Sequence, residues 1–365
     1  MTRIVILPGD GIGPEVAGEA ALCLAALSAG SDLDFSFESH DFGGIAIDNH
    51  GTPLPDATLA ACRGADAILL GAVGGPKWDG AAERPEAGLL KLRAALGLFA
   101  NLRPARVIAG LEHLSPLKAE TARGADILVV RELTGGAYFG DKSLSDDFGS
   151  DVCAYTRVEV ERIAHVAFNA ARRRSKRLTS VDKANVLASS KLWRRVVSEV
   201  GEEYPDVTLD HLYVDAAAMA LVTHPRRFDV IVTENMFGDI LSDEMAVIPG
   251  SIGLLASAST GASKTGLFEP IHGSAPDIAG LDVANPAGAI ASAGMLLDHI
   301  GHSDLARALA AALEDAIADG CRTADLGGEA SCSEFGAAVR ERIAVRTGQM
   351  EAIQSLVAMN RGCCG

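Results

Sequence analysis

Short β-branched or leucine-rich runs alternate along the chain with alanine-rich segments of helical period. That alternation predicts an α/β protein with much parallel sheet. "RIVILPGD" reads as a strand, and "PEVAGEAALCLAALSA" reads as the helix after it, with Pro14 suited to a first helical position. Three stretches share one form: "RGADAILLGAV" (63–73), "RGADILVVREL" (123–133) and "RRFDVIVTENM" (226–236). Each has a basic or polar lead-in, an aspartate and then a buried strand. Their irregular spacing argues against a solenoid and for three strands of α/β layers. Loops after strand C-termini build the sites of such sheets, and these loops hold "GGPKWD", "RELTGG" and "TENMFGDILSD". "GSIGLLASASTGASKTG" (250–266) suits a flexible linker or a strand or helix crossing tightly between layers, and its apolar middle favours the crossing. "ANPAGAIASAGMLLDHIG" (284–301) reads as a closely packed helix rich in small residues.

The 365 residues suffice for two domains, and 48% apolar with 22% charged residues describes a soluble globular chain. A net charge of −16 argues against a nucleic-acid partner, which needs a basic face. The basic run "RRRSKR" (172–177) reads as a solvated helix end. No stretch approaches 18 uninterrupted apolar residues, so no membrane span is expected. The N-terminus enters a strand at residue 4 and carries no signal or transit pattern. Seven scattered cysteines without C-x-x-C argue against a disulfide framework or a zinc site. Cys363 and Cys364 lie in a polar tail and receive no role. These features together predict a cytoplasmic protein.

Within "TENMFGDILSDE" (233–244), Asp239 and Asp243 are four apart, on one face of a helix. Two carboxylates there repel unless water screens them or a cation holds them, and the position after a strand favours the cation. Asp215, Asp239 and Asp243 offer only hard oxygen ligands, which suit Mg²⁺ or Mn²⁺. Arg93, Arg103 and Arg131 would suit a substrate with several carboxylates, since the guanidinium fork binds a carboxylate by two parallel bonds. Singly, each is more often a surface salt-bridge partner. Tyr138 lies beside glycines in "TGGAYFG". Lys183 lies between a strand-like and a helix-like run, and Asp215 ends the strand-like "LDHLYVD". Tyr138 and Lys183 are acid–base candidates as part of this constellation. "PGDGIGPE" is glycine-rich after a strand but fits neither G-x-G-x-x-G nor the phosphate loop, so alone it says little about a cofactor. "PIHGSAPDIAGLDVANP" (270–286) is the most specific loop. Its small residues allow close approach of a ligand, and Asp277 can accept hydrogen bonds from a ribose diol while repelling a 2′-phosphate.

These motifs in this order resemble the β-decarboxylating dehydrogenase family, whose members act on isopropylmalate, isocitrate, homoisocitrate and tartrate or malate. The resemblance runs from "LPGDGIGPEV" through "GAVGGPKWD", "LRPARV", "VVRELTGGAYFG", "DKANVL", "YVDAAAMALV" and "TENMFGDILSDE" to "HGSAPDIAG", nearly the whole chain. Within the family the chain looks like the branch acting on 3-isopropylmalate, in leucine biosynthesis. The resemblance implies an α/β two-domain fold with a mixed sheet, not a common Rossmann domain. A discontinuous cofactor-binding domain would span 1–98 and 250–365, and 99–249 would bind metal and dimerise, with the site in the cleft between them. Arg93, Arg103 and Arg131 would hold the malate carboxylates, and Glu86, Leu89 and Leu90 would complete the substrate pocket. Asp215, Asp239 and Asp243 would bind Mg²⁺ or Mn²⁺, which chelates the substrate, so that Asp215 also serves substrate binding. Lys183 would take the hydroxyl proton, with a pKa lowered by burial near the cation. Tyr138 would protonate the carbon after CO₂ leaves. NAD would meet Gly75, Glu86, His272, Gly273, Ser274, Ala275, Asp277, Ile278 and Asn285. Lys183 and Asp215 would come from the neighbouring subunit of a homodimer.

The chain departs from the family pattern in three places. The loop "GGPKWDGAAERPEAG" is about two residues shorter than the resemblance leads one to expect. "SCSEFGAAV" replaces a threonine-and-methionine version, and the tail beyond 345 runs longer. Two rival readings stand beside the first. One is another substrate within the family, against which Leu89 and Leu90 offer an apolar wall where a third carboxylate would need a hydroxyl or cation. The other is a non-catalytic, ligand-sensing subunit, against which all acid, base and metal positions are present.

Overall fold

The apolar runs that follow charged lead-ins form the strands of the computed structural model, which describes residues 1–29, 33–81 and 83–347. Cys363, Cys364 and the tail around them lie outside the described residues. The chain forms two compact units: Met1–Gly97 with the chain from Ser251 onward, and Leu98–Gly250. In chain order the strands are β1 (Thr2–Gly9), β2 (Phe35–Ser39), β3 (Ala67–Ala72), β4 (Leu98–Arg106), β5 (Asp126–Glu132), β6 (Lys142–Leu144), β7 (Gly149–Asp151), β8 (Arg177–Asp182), β9 (Thr208–Tyr213), β10 (Val230–Thr233), β11 (Ala256–Gly261) and β12 (Gly266–Pro270).

In the first unit the strand order is β2-β1-β3-β12-β11. The first four are parallel, and β11 runs antiparallel to β12. All six residues of β3, "AILLGA", are buried, as a strand covered on both faces requires. Helices Gly13–Ser28, Ala287–His299, Ser303–Ala318 and Cys332–Thr347 pack together in this unit. The Glu19–Arg340 ion pair ties the first of them to the last. Helix Pro85–Leu96 starts on a proline and stops at Gly97, whose φ of 64° forms a left-handed cap.

In the second unit the order is β4-β5-β10-β8-β9, with β4 antiparallel to β5 and the others parallel. Helix Arg157–Arg172, started by a Thr156/Glu159 capping box, and helix Ala188–Gly201 bury Phe168, Trp193 and Val197 with Phe99 and Val230 of the sheet. β6 and β7 form a separate hairpin in which every residue is exposed.

Within 250–266 the chain makes a short 3₁₀ turn at Ile252–Leu254 and then strand β11, the strand alternative expected there. One expectation on elements needs correction. Asp215 does not end a strand: β9 stops at Tyr213, and Asp215 sits in the first turn of helix Val214–Thr223, where a carboxylate favours the N-terminal dipole.

Candidate active site

Strand register gathers the candidate chemistry of the second unit at one sheet edge. Thr233 of β10 sits opposite Arg131 of β5 and opposite Val181 of β8. Asp182 of β8 sits opposite Tyr213 of β9. The strand ends therefore align, and the residues just beyond them, Lys183, Asn235 and Asp215, emerge on the side where open α/β sheets bind ligands.

Helix Asn235–Ala246 follows β10 directly and carries both Asp239 and Asp243. The Glu234 side chain caps its start, accepting from Met236 N and Phe237 N. Burial pushes the Glu234 carboxyl above the usual range despite those two backbone bonds. Arg131, itself buried, pairs with Asp239 through Nη1. Arg103 pairs with Asp243 at 3.1 Å and also donates to Ser242 Oγ at 2.7 Å and to Asn101 Oδ1 at 2.9 Å. The Tyr138 hydroxyl donates to Asp239 Oδ2 at 3.0 Å, and the ring lies beneath the Arg131 guanidinium. Burial, then the Asp239 charge, holds the Tyr138 phenol above its ordinary pKa, so it carries its proton at neutral pH. Tyr138 is nonetheless 43% exposed, so the proton is accessible.

Lys183 and Asp215 form their own ion pair, and the hydrogen bond from Lys183 keeps the Asp215 carboxyl below its usual pKa. The three aspartates assigned to metal are not gathered within one chain. Among the described residues, Glu15, Asp282 and Cys332 are the group of three whose ligand atoms lie within 4.8 Å of one another. Its members are otherwise engaged: Glu15 accepts from Gly280 N and Asp282 N, Asp282 accepts from Ser333, and burial keeps the Cys332 thiol protonated.

In the first unit Arg93 is half-buried and paired with Glu269 at 2.6 Å. Glu86, Leu89 and Leu90 lie on the same helix as Arg93, and Leu90 is 54% exposed. A separate cavity of about 370 Å³ is lined by His272, Gly273, Ala275, Ile278 and Asn285. Gly75, Glu86, Ser274 and Asp277 do not line it. Three wall segments escaped the sequence reading: Ile12, Ser251–Gly253 and Asp325. Asp325 accepts from Asn285 Nδ2 at 2.9 Å and from the Ser251 hydroxyl, which fixes that wall. Its signal in sequence was the short polar turn "TADLGG". Ile12 is brought in by the "PGDGIGPE" loop, where Ile12 N donates to Ser274 O at 2.8 Å. A Cβ on Gly11 would lie 1.9 Å from that same carbonyl, so the contact requires glycine.

The donor sets suit the groups expected of them. Asp239 and Asp243 supply only oxygen ligands one turn apart, as Mg²⁺ or Mn²⁺ demands. The cavity has the volume of a small-ligand site. His272 Nε2 is buried in its wall without a hydrogen-bond partner among the described residues, a polar atom for a ligand to meet. Burial also keeps that imidazole below its ordinary pKa and therefore neutral.

The chain is 56% identical over 343 residues to the 3-isopropylmalate dehydrogenase of Staphylococcus saprophyticus, covering 93% of this chain and 99% of the relative. It is 56% identical over 348 residues to the enzyme of the same name from Salinibacter ruber, covering 93% and 95%. Among solved structures, an isocitrate dehydrogenase from Methylococcus capsulatus superposes with a TM-score of 0.83 at 36% identity, covering 94% of this chain and 99% of that one. A β-decarboxylating dehydrogenase from Thermococcus kodakarensis, in its apo form, gives 0.81 at 37% identity, covering 96% and 98%. The pattern that defines the isocitrate/isopropylmalate dehydrogenase family matches residues 3–339, and the chain belongs to that family.

Proposed function

We infer that this protein catalyses the NAD-dependent oxidative decarboxylation of 3-isopropylmalate to 4-methyl-2-oxopentanoate and CO₂, a step of leucine biosynthesis. The observation that carries the chemistry is the Tyr138 hydroxyl donating to Asp239, which also pairs with Arg131. The relatives above 50% identity that bear the name of the isopropylmalate enzyme favour that substrate over isocitrate.

Arg93, Arg103 and Arg131 hold the two substrate carboxylates, and Leu89 and Leu90 face the isopropyl group. Lys183 takes the proton of the substrate hydroxyl as C2 is oxidised. After the β-carboxylate leaves as CO₂, the Tyr138 O–H, protonated at neutral pH, delivers a proton to the carbon left behind. When bound, a divalent cation on Asp239 and Asp243 would polarise the hydroxyl and keto oxygens, and NAD⁺ would accept the hydride. Asp215 and Lys183, which pair with each other within this chain, serve the site of a second copy. Exposed Leu144, Phe148, Met219 and Val222 of the second unit are apolar surface that such a copy would cover. His272, Gly273, Ala275, Ile278 and Asn285 hold the adenosine half of NAD⁺, with Asp277 toward the ribose. The composition suits the cytoplasm.

The test follows NADH formation with 3-isopropylmalate, isocitrate, tartrate and malate in parallel, with Mg²⁺ or Mn²⁺ and after chelation. The expected result is metal-dependent turnover with isopropylmalate strongly preferred. No turnover on any 2-hydroxy diacid would instead favour a ligand-sensing role.

A further inference from the structure

We propose that Asn235 is a positioning residue that aims the Arg131 guanidinium at a substrate carboxylate without neutralising it; this rests on Arg131 being a carboxylate ligand, as read above. Asn235 is 1% exposed. Its Oδ1 accepts from Arg131 Nε at 3.0 Å and from Nη2 at 2.8 Å, so one amide oxygen holds one edge of the fork. Its Nδ2 donates to Gly135 O at 3.2 Å. Its backbone N donates to the Tyr155 hydroxyl at 3.0 Å, and that hydroxyl donates to Glu234 Oε2 at 3.2 Å.

The amide has a single workable orientation. The guanidinium offers only donors and the Gly135 carbonyl only lone pairs, so a flipped amide would oppose N–H to N–H and oxygen to oxygen. Asn235 thereby ties three parts together: the Arg131 fork, the "TGG" turn that leads to Tyr138, and the first residue of the helix bearing Asp239 and Asp243.

The choice of an amide over a carboxylate has a physical consequence. Arg93 and Arg103 each meet a carboxylate, Glu269 and Asp243. The Arg131 edge held by Asn235 meets a neutral oxygen, and the carboxylate of Asp239 engages Nη1. An aspartate at 235 would satisfy the same two donors but cancel charge that an incoming carboxylate needs. It would also stand four residues before Asp239 and eight before Asp243, adding a third like charge to one helix face.

The experiment measures 3-isopropylmalate binding by calorimetry in Mg²⁺, alongside KM and kcat, for wild type, Asn235→Asp, Asn235→Ala and Arg131→Lys, with melting transitions and NAD⁺ affinity as controls of fold. Asn235→Asp should weaken substrate binding on the order of tenfold or more and raise KM accordingly, while kcat at saturation stays within about threefold. Asn235→Ala should weaken it several-fold without added charge. Either folded variant decides. If both Asn235 variants bind substrate within about twofold of wild type while Arg131→Lys binds weakly, the proposal is wrong. If Arg131→Lys also binds normally, the carboxylate-ligand reading itself fails. Loss of the melting transition in both Asn235 variants would make the role purely structural and overturn the proposal.

Discussion

Gly238 lies directly under the side chain of Arg131: a Cβ added at Gly238 would sit 2.6 Å from Arg131 Cγ and 2.9 Å from its Cβ. The glycine between Glu234 and Asp239 is there for an arginine more than a hundred residues earlier in the chain. Its absence of a side chain lets the guanidinium reach both Asn235 and Asp239.

Gly238→Ala is therefore expected to displace Arg131. Alanine gains roughly 1 kcal/mol of helix propensity over glycine. Overpacking a filled site costs about 1–3 kcal/mol, so the net change in stability is small or unfavourable. The larger effect falls on the site: KM for 3-isopropylmalate should rise on the order of tenfold, with Tm within a few degrees of wild type. Steady-state kinetics beside a thermal melt measure both, and an unchanged KM would mean that Arg131 has another way past residue 238.

Asp239→Asn and Asp243→Asn should each lose most activity, because each removes an anionic oxygen ligand while nearly preserving volume. Each also removes a carboxylate from an arginine, Arg131 or Arg103. The two causes separate by titrating metal: a ligand role raises the Mg²⁺ or Mn²⁺ concentration needed for half-maximal rate. Wild-type kcat and metal dependence in either variant would rule out the metal assignment.

Much of the scaffold was legible because it depends on local chemistry. The strands followed from apolar runs after a charged lead-in, and helix Gly13–Ser28 from the proline in its first turn. The loop "TENMFGDILSDE" stood out because two carboxylates on one helix face are costly without a partner. What sequence concealed were relationships set by side chains distant along the chain. Gly238 was unexplained until Arg131 was seen across it. Asp325 carried only a weak local signal, a short polar turn, because its importance lies in Asn285 and Ser251, 40 and 74 residues away. Asn235 drew no notice, since nothing local reveals that its amide holds Arg131. The 3₁₀ turn at Ile252–Leu254 was missed because a stretch of small residues carries little periodicity.

Acid should destabilise the second unit partly through Asp229. Burial pushes this carboxyl up, but hydrogen bonds from Ser175, Arg174 and the Arg177 backbone outweigh it and leave the carboxyl below its ordinary value of 3.8. Arg174 Nε donates to it at 2.8 Å and Arg177 N at 3.2 Å. With the folded pKa depressed, the unfolded chain binds the proton more readily. The stabilisation is thus complete above 3.8 and is lost as pH falls through the folded pKa. Asp229→Asn should cost roughly 1.5–3 kcal/mol near neutrality, the range for hydrogen bonds to a charged group. The gap between variant and wild type should narrow as pH drops below 3.8. Thermal melts across that range test this, and a gap constant with pH would mean that Asp229 titrates alike in both states.

Cofactor choice should follow the loop after His272. Ile278 lines the first-unit cavity, whereas the exposed Asp277 stands outside its wall, as a residue reaching a ribose at the mouth would. A carboxylate there accepts from both ribose hydroxyls, and hydrogen bonds to a charged group are worth roughly 1.5–3 kcal/mol. A 2′-phosphate removes one donor and brings close to two negative charges toward the same carboxylate. NAD⁺ should therefore be used well and NADP⁺ poorly. Asp277→Lys combined with Ile278→Tyr should lower kcat/KM for NAD⁺ and raise relative use of NADP⁺. Lysine supplies a cation for the phosphate, while tyrosine places a hydroxyl beside it and enlarges the side chain at the cavity wall. Single Asp277→Asn separates charge from shape: it keeps hydrogen bonding but removes repulsion, so the preference for NAD⁺ should narrow without reversing. Steady-state kinetics with both cofactors decide. Equal use of NAD⁺ and NADP⁺ by wild type, or a ratio untouched by the double substitution, would mean that Asp277 does not read the ribose.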